Sequence, residues 1–286
     1  MPWPTWNQAA LAAVLSAAFV LVARRARPTR VTNALIPAAK EFALIATLYS
    51  VWRVARELPL AQDAGAIDRG RQIDRLQQAL GLPTELSLHH FALDHDLLAR
   101  SITYYYATFH VPALIIFLVW MFVRHRDAYP HWRTGLVVVT ACCLFIRFVR
   151  VAPPRLVPEL GFVNLSSGYG WAVYGEVGTG VSDQFAAMPS IHVAWAAVVA
   201  FGAVAVLKSP WRWLVFLHLP LTVYVVAATG HHWWLDSIVA IGLLVVALWL
   251  DTAVRRRAAS SRVSGVATVA HSDAGPPPEV RELEPN

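Results

Sequence analysis

A histidine and an aspartate stand four residues apart in the segment TGHHWWLD, residues 229–236. Because residues i and i+4 lie on one face of an α-helix, the carboxylate of Asp236 is placed to accept one imidazole N–H of His232. That hydrogen bond would fix the tautomer and leave the second ring nitrogen free as a nucleophile or a base. The alternative is a purely structural pair at a helix start. His231 faces elsewhere and is expected in a loop or a pocket.

A second segment, AMPSIHVAW at residues 187–195, has the features of a helix start that carries an ionisable group. Ser190 occupies an N-cap position, and His192 falls in the first turn. A helix N-terminus presents free N–H groups and positive potential, and both favour phosphate binding. The alternative is an ordinary serine cap beside a histidine at the membrane interface.

Arginines are concentrated in a third segment, RFVRVAPPR at residues 147–155. Arg147 and Arg150 are three residues apart, which predicts a shared helix face. The two prolines that follow would end this helix and send Arg155 into a loop. A guanidinium group offers a planar fork of donors that suits phosphate oxygens. The alternative is that these side chains extend to lipid headgroups.

The composition indicates what kind of scaffold positions these segments. Of the 286 residues, 57% are hydrophobic and 15% are charged, whereas soluble domains have roughly 45–50% apolar and about 25% charged residues. This excludes an ordinary soluble domain and a largely disordered chain, and it predicts an all-α, polytopic membrane helix bundle. The adjacent Cys142 and Cys143 fit neither a disulfide with each other nor a metal-ligand spacing.

About 20 apolar residues cross a bilayer as a helix, and about seven stretches of the chain are candidates. They are residues 8–23, 41–55, 102–123, 134–151, 190–207, 211–228 and 233–250. Basic residues follow the first, third, fifth and seventh stretches, so the positive-inside rule places those connections in the cytoplasm. The three polar segments then face outward from the cytoplasmic membrane. The bias toward arginine and alanine is typical of a GC-rich bacterial genome.

The chain is expected to divide into three parts. Residues 1–40 would form an anchor span with a basic cytoplasmic loop, residues 41–250 a catalytic membrane domain, and residues 251–286 a disordered cytoplasmic tail. Residues 60–82 have helical apolar spacing among charges. They predict an amphipathic helix that lies on the outer membrane surface or caps the bundle.

An outer active-site loop is expected at residues 152–189. Its part at residues 161–180 is rich in glycine, serine and aromatic residues. This part is either a headgroup pocket or lid, or a flexible connector.

Together these motifs resemble the type-2 phosphatidic acid phosphatase superfamily of membrane phosphatases and phosphotransferases. PSIH at residues 189–192 is similar to the family motif Pro-Ser-Gly-His, and HWWLD at 232–236 is similar to the end of Ser-Arg-x5-His-x3-Asp. The resemblance covers roughly residues 91–250. It implies a six-helix phosphatase-like core, to which the first span is an addition.

Two departures point to one branch of that superfamily. Val225 and Val226 stand where the third motif has Ser-Arg, and APPR at residues 152–155 replaces the Arg-Pro of the first motif, Lys-x6-Arg-Pro. Both departures are similar to the inositol phosphorylceramide synthase-like branch, in which Ala-Pro-Pro and His-His-aromatic sequences occur. That branch transfers a phospho-headgroup such as phosphoinositol from one lipid to another alcohol.

The resemblance also implies roles for single residues. His232 would attack phosphorus, Asp236 would hold its ring, and His192 would protonate the departing alkoxide and then deprotonate the incoming water or alcohol. Substrate phosphate would be bound by Arg147, Arg150, Arg155, Ser190 and His231. No metal and no cofactor is expected. The expected partners are a lipid substrate in the bilayer and a small or lipid alcohol acceptor, with no nucleic acid.

Several other functions fit parts of the pattern. A simple phosphatase for phosphatidate or a polyprenyl phosphate needs the same three catalytic residues. A non-enzymatic transporter or lipid-binding protein would also carry ionisable groups in the membrane, although near span centres rather than at span ends. A metal-dependent hydrolase would use the histidines of the second and third segments and Asp236 as ligands. An inactive member of the superfamily is the remaining alternative.

Overall fold

The computed structural model describes residues 4–25, 29–57, 65–163, 165 and 184–272. Its helices are α1 (Trp6–Ala23), α2 (Arg30–Glu57), α3 (Ala66–Ala79), α4 (Glu85–Leu93), α5 (Asp96–Thr108), α6 (His110–Arg124), α7 (Tyr129–Ile146), α8 (Ile191–Val206), α9 (Arg212–Phe216), α10 (His218–Ala228) and α11 (Trp234–Ser272). Within the described ranges the other regular structure is two short 3-10 turns and one isolated β-bridge. The predicted all-α membrane bundle is therefore confirmed.

In the described part of the chain, three helices are long and apolar enough to cross a membrane: α1, Arg30–Ala55 of α2 and Trp234–Ser261 of α11. The pair α5–α6 would be a fourth span, bent by 51°. The other predicted spans correspond to α7, α8 and the pair α9–α10. The number of seven spans stays a prediction.

The second predicted span, residues 41–55, is much longer in the structure. Helix α2 begins at Arg30 and contains Pro37. Glu41 therefore lies inside the helix, where its carboxylate pairs with Arg133 of α7 at 2.5 Å. The same helix packs along α1, where the hydroxyl of Ser50 donates to the carbonyl of Trp6 at 2.8 Å.

Helix α8 is the centre of the bundle and packs against α6, α7, α10 and α11. Most of its residues are fully buried, and many of them are alanine. Small residues let neighbouring helices approach closely, which is how helices associate where the lipid is as apolar as the side chains. His192 lies in the first turn of this helix, so it is carried on a tightly packed element.

The fourth predicted span, residues 134–151, ends early. Helix α7 stops at Ile146, and Arg147 is its C-cap. The chain then becomes extended, because Val151 forms a parallel bridge to Ala186. Arg150 lies outside the helix, so the predicted helix face shared by Arg147 and Arg150 is wrong. The bridge instead joins the arginine segment to the segment that precedes α8.

The amphipathic segment at residues 60–82 contains α3. Its inward face buries Ala66, Gly70 and Gln77, while Leu76 and Leu80 are exposed. The carbonyl of Ala66 accepts a hydrogen bond from the backbone N–H of Ala152 at 2.9 Å. These are the contacts of a helix that caps the bundle. Residues 58–64 lie outside the described part of the chain.

The tail differs from the expectation of disorder from residue 251 onward, because α11 continues to Ser272. Asp251 stabilises this extension through an ion pair with Arg255, one turn further on, and a hydrogen bond with the ring of His131 of α7. The prediction is therefore wrong for residues 251–272. Residues 273–286 lie outside the described part.

Candidate active site

His232 lies in the turn between α10 and α11 and is 5% exposed. Its Nδ1 atom is 2.6 Å from the carbonyl oxygen of Ala187 and 3.3 Å from Oδ2 of Asp236. A carbonyl and a carboxylate only accept hydrogen bonds, so Nδ1 carries the proton. The lone pair is then on Nε2, which is the arrangement a nucleophilic imidazole needs.

Asp236 has a second contact that the sequence did not predict. Its Oδ2 atom accepts the backbone N–H of Trp233 at 2.8 Å, and the residue is fully buried. Asp236 thus closes the first turn of α11 as well as holding the ring of His232. Its Oδ1 atom is buried without a hydrogen-bond partner among the described residues.

The second motif lies directly against the third. Nδ1 of His192 is 3.4 Å from Nε2 of His232. The hydroxyl of Ser190 accepts the backbone N–H of Val193 at 3.3 Å, so it caps α8. The backbone N–H of Ser190 donates to the carbonyl of Asp236, also at 3.3 Å. The starts of α8 and α11 are therefore joined, and the two histidines face each other.

Of the three predicted arginines, Arg155 is tied to the catalytic turn. Its backbone N–H donates to the carbonyl of Gly230 at 3.1 Å, and its guanidinium lies 3.5 Å from the amide oxygen of Gln184. Arg147 caps α7, and the backbone carbonyl of Arg150 accepts from Arg69. Phosphate binding by these two side chains stays a prediction.

His231 lies beside the catalytic pair, where its ring stacks on Tyr106 with centroids 4.3 Å apart. Burial and, less strongly, the charge of Arg155 lower the pKa of His231 well below its ordinary value. The ring is therefore neutral at pH 7. It would meet a phosphate as a neutral hydrogen-bonding group.

A family model described as the PAP2 superfamily matches residues 71–250, which is more than half of the chain. The chain belongs to the PAP2 superfamily. No curated protein and no solved structure matched it. Membership indicates a phosphatase or phosphotransferase that acts on phosphate esters of lipids. The matched range contains all of the residues singled out as catalytic or phosphate-binding.

Two aromatic residues of this PAP2 protein flank His192 and were missed by the sequence analysis. The rings of Tyr106 and His110 have centroids 4.8 Å and 5.0 Å from that of His192. His110 is 4% exposed, and neither of its ring nitrogens has a hydrogen-bond partner in the part of the chain that the structure describes. An ionisable residue inside the apolar stretch 102–123 was the feature that could have indicated it.

Trp233, the residue after His232, is a further buried residue that the sequence analysis did not single out. Adjacent tryptophans are typical of an aromatic belt at a membrane interface, but Trp233 is 1% exposed. Its indole N–H donates to the carbonyl of Ala152 at 2.9 Å. It therefore anchors the catalytic turn to the segment that leads to Arg155. Trp234 is partly buried, and its indole N–H donates to Pro83 at 2.8 Å.

The headgroup loop and the metal alternative are the two remaining predictions. Most of the expected headgroup loop lies outside the described part of the chain, since residues 164 and 166–183 are not described. For the metal alternative, the described histidines, cysteines and carboxylates form no group of three or more that could hold an ion. Metal independence itself stays a prediction.

Gly230 is expected to tolerate no side chain. Its φ is +65°, and a Cβ atom would lie 2.6 Å from the ring of Phe162 and 3.1 Å from the Cβ of Arg155. We expect Gly230→Ala to lower the free energy of unfolding by more than the 1–2 kcal/mol that is typical of a left-handed alanine alone. We also expect it to lower kcat, because the crowding displaces Arg155. Thermal unfolding and turnover of the purified variant measure both effects.

Gly81 provides the matched control, since its φ is +69° and a Cβ there would meet nothing within 4 Å. Gly81→Ala carries the backbone cost without the crowding, so its kcat should equal that of the unmodified protein. Equal losses of kcat in the two variants would show that crowding of Arg155 by a side chain at residue 230 does not affect turnover.

Proposed function

We propose that the protein is a membrane lipid phosphotransferase or phosphatase that works through a phosphohistidine at His232. One observation carries the proposal. Nδ1 of His232 faces two acceptors, Ala187 and Asp236, while Nε2 faces the ring of His192. A nucleophile oriented by a carboxylate and opposed by a second histidine is the arrangement required for covalent phosphoryl transfer with acid–base assistance.

The reaction would proceed in two steps. First, Nε2 of His232 attacks phosphorus, the bond from phosphorus to the lipid oxygen breaks, and His192 donates a proton to that oxygen. Then His192 takes a proton from water or an alcohol, whose oxygen attacks phosphorus and releases Nε2. Asp236 and the carbonyl of Ala187 stabilise the positive charge that His232 carries while it is phosphorylated.

The distance between the two histidines sets a condition on substrate binding. In-line transfer needs about 3–3.5 Å between the nucleophile and phosphorus, and about 2.8 Å between the leaving oxygen and its proton donor. The ring nitrogens must therefore separate beyond the observed 3.4 Å when a lipid is bound. We expect His192, which is only partly buried, to move, because the ring of His232 is held by Ala187 and Asp236.

Arg155 is the strongest candidate for binding the phosphoryl oxygens, with Arg147, Arg150, Ser190 and the backbone N–H groups at the N-terminus of α8 as further donors. The position of the superfamily's Ser-Arg pair offers no such group, because it holds Val225 and Val226, whose apolar side chains are fully buried. This substitution supports the inositolphosphotransferase-like reading, in which phosphoinositol or a similar headgroup is transferred to an alcohol. Simple lipid phosphatase activity is the alternative outcome.

The active site is proposed to face outward from the cytoplasmic membrane. His131 at the start of α7 contacts Asp251, so the basic stretches around Arg133 and Arg255 lie at the same end of the bundle. His232 is at the other end of α11, and the 18 residues from Trp234 to Asp251 span about 26 Å. This is close to the thickness of a bilayer core, about 30 Å.

The proposal is tested by incubating the purified protein with phosphatidate, a polyprenyl phosphate and phosphatidylinositol, each with and without labelled inositol or another alcohol. Release of inorganic phosphate identifies a phosphatase. A new phosphodiester in the lipid fraction identifies a transferase. If no ester is consumed while the lipids move between vesicle leaflets, the transporter alternative is correct.

Chelators are expected to leave turnover unchanged, because histidine, arginine and helix N–H groups supply the nucleophile, the acid and the positive charge. The measurement is the initial rate before and after dialysis against EDTA. A loss of rate that zinc restores would support the metal-dependent hydrolase instead.

A further inference from the structure

The first peptide groups of α11 are held by side chains from outside the helix. The first N–H groups of any helix have no partner within it. Here the N–H of Trp234 donates to Oε1 of Glu85 at 2.9 Å, and the N–H of Leu235 donates to the amide oxygen of Gln77 at 3.0 Å. Trp234 and Leu235 stand between His232 and Asp236. The two contacts therefore act on the backbone that separates the catalytic pair.

Gln77 and Glu85 form one connected unit. The amide nitrogen of Gln77 donates to Oε1 of Glu85 at 2.8 Å. The two residues are 3% and 2% exposed. One lies in α3 and the other opens α4. Because Oε1 of Glu85 accepts from both Gln77 and Trp234, the carboxylate links the two helices to the start of α11.

The position of Glu85 is costly for a carboxylate. Burial raises the pKa of Glu85, and the hydrogen bonds from Trp234 and Gln77 oppose that rise. A buried ionisable group that is not fully compensated destabilises the fold. An ordinary helix cap does not require such burial, since serine, threonine or asparagine at the surface performs it.

The same face of α3 also holds the arginine segment. The carbonyl of Ala66 accepts the N–H of Ala152, and Ala152 in turn accepts the indole N–H of Trp233. Arg71 of α3 pairs with Glu159. Helix α3 therefore contacts both halves of the site: the segment that carries Arg155 and the turn that carries His232.

We propose that Gln77 and Glu85 are positioning residues that set the distance and angle of His232 relative to Asp236 and His192 by anchoring the first turn of α11. The inference rests on the proposed function. It assigns a role in the reaction to α3 and α4, which lie outside all three motifs. A shift of about 1 Å in a catalytic group can cost about 100-fold in rate, so loosening this turn acts on kcat.

The test compares Glu85→Ala and Gln77→Ala with a control, Gln78→Ala. Gln78 is the next residue of α3, and its exposed side chain donates to Asp74 of the same helix. With phosphatidate and phosphatidylinositol as donors, we expect Glu85→Ala to lower kcat about 10- to 100-fold, with KM changed less than about 3-fold. Gln78→Ala should match the unmodified protein. Glu85→Gln keeps an acceptor oxygen and should recover most of the kcat lost in Glu85→Ala.

Hydrogen exchange of the full-length protein provides a readout that does not depend on turnover. The amides of Trp234 and Leu235 should exchange faster in Glu85→Ala and Gln77→Ala than in Gln78→Ala. If neither the unmodified protein nor any variant turns over lipid, the proposed function is wrong. Faster exchange of these amides in Glu85→Ala and Gln77→Ala would in that case still show that the two side chains anchor the first turn of α11. If kcat per folded molecule is unchanged in Glu85→Ala, the positioning role is wrong, even if the variant is less stable. Failure of Glu85→Gln to recover kcat would also contradict it.

Discussion

His232→Ala is expected to abolish turnover of every lipid phosphate ester, with a loss of about 10⁴-fold or more, as for other catalytic nucleophiles. The reason is that no second group can take over. Nε2 of His232 is the ring atom left with a lone pair by the contacts with Ala187 and Asp236, and His192 is needed as the acid. The measurement is the steady-state rate of the purified variant with the donor that the unmodified protein consumes best.

His90→Ala is the matched control for this loss. It is the same substitution on an exposed histidine of α4, and its rate should equal that of the unmodified protein. Both variants should elute as folded protein at the same position in size-exclusion chromatography. Residual activity of His232→Ala above about 1% of the control would remove His232 from the role of nucleophile.

His192→Ala is expected to lose activity in a way that depends on the leaving group. General acid catalysis contributes about 10²–10⁴-fold, and this contribution is needed when the leaving group is a lipid alkoxide. An aryl phosphate such as para-nitrophenyl phosphate departs without protonation. With such a donor the first step should therefore proceed nearly normally in the variant, while the second step still lacks its base.

The expected result is a burst of nitrophenol of about one equivalent per enzyme, followed by slow turnover. With a lipid donor the variant should show no burst. The comparison uses stopped-flow absorbance for the aryl ester and rapid quench for the lipid. Equal losses for the two donors, without a burst, would mean that His192 acts in binding or folding and not as the acid.

The bundle class and the pairing of His232 with Asp236 could be predicted because both depend on local properties. Apolar stretches report membrane helices directly, and residues four apart share a face of whichever helix forms. The proximity of the second and third motifs was predicted from weaker evidence, namely that both lie at outward ends of spans. The structure adds the contact itself, at 3.4 Å between His192 and His232.

Most of the errors in the prediction arise from contacts between distant segments. Helix α7 ends at Ile146 because Val151 pairs with Ala186, and no residue near Ile146 indicates that partner. Trp233 is buried because it donates to a backbone carbonyl at Ala152. The carbonyl of Ala187 could not be found either, because every residue has a carbonyl and its direction depends on the fold.

Gln77 and Glu85 are the clearest case of this kind. They lie 158 and 149 residues before the N–H groups that they bind. In the sequence Gln77 is a polar residue of the amphipathic stretch at residues 60–82, and Glu85 follows shortly after that stretch. Both are of the kind expected on a solvated helix face. Their burial against α11 follows from the docking of α3 over the bundle, and this docking was one of two alternatives that the periodicity left open.

The most direct test of the central claim is to isolate the covalent intermediate. The protein is mixed for milliseconds with a donor labelled at phosphorus, quenched in alkali, in which phosphohistidine is stable, and digested for mass spectrometry. We expect one phosphorylated group per active enzyme on the peptide that contains His232, attached at Nε2, and none in His232→Ala. A donor that is turned over without any protein-bound phosphorus, or with phosphorus on another residue, would contradict it.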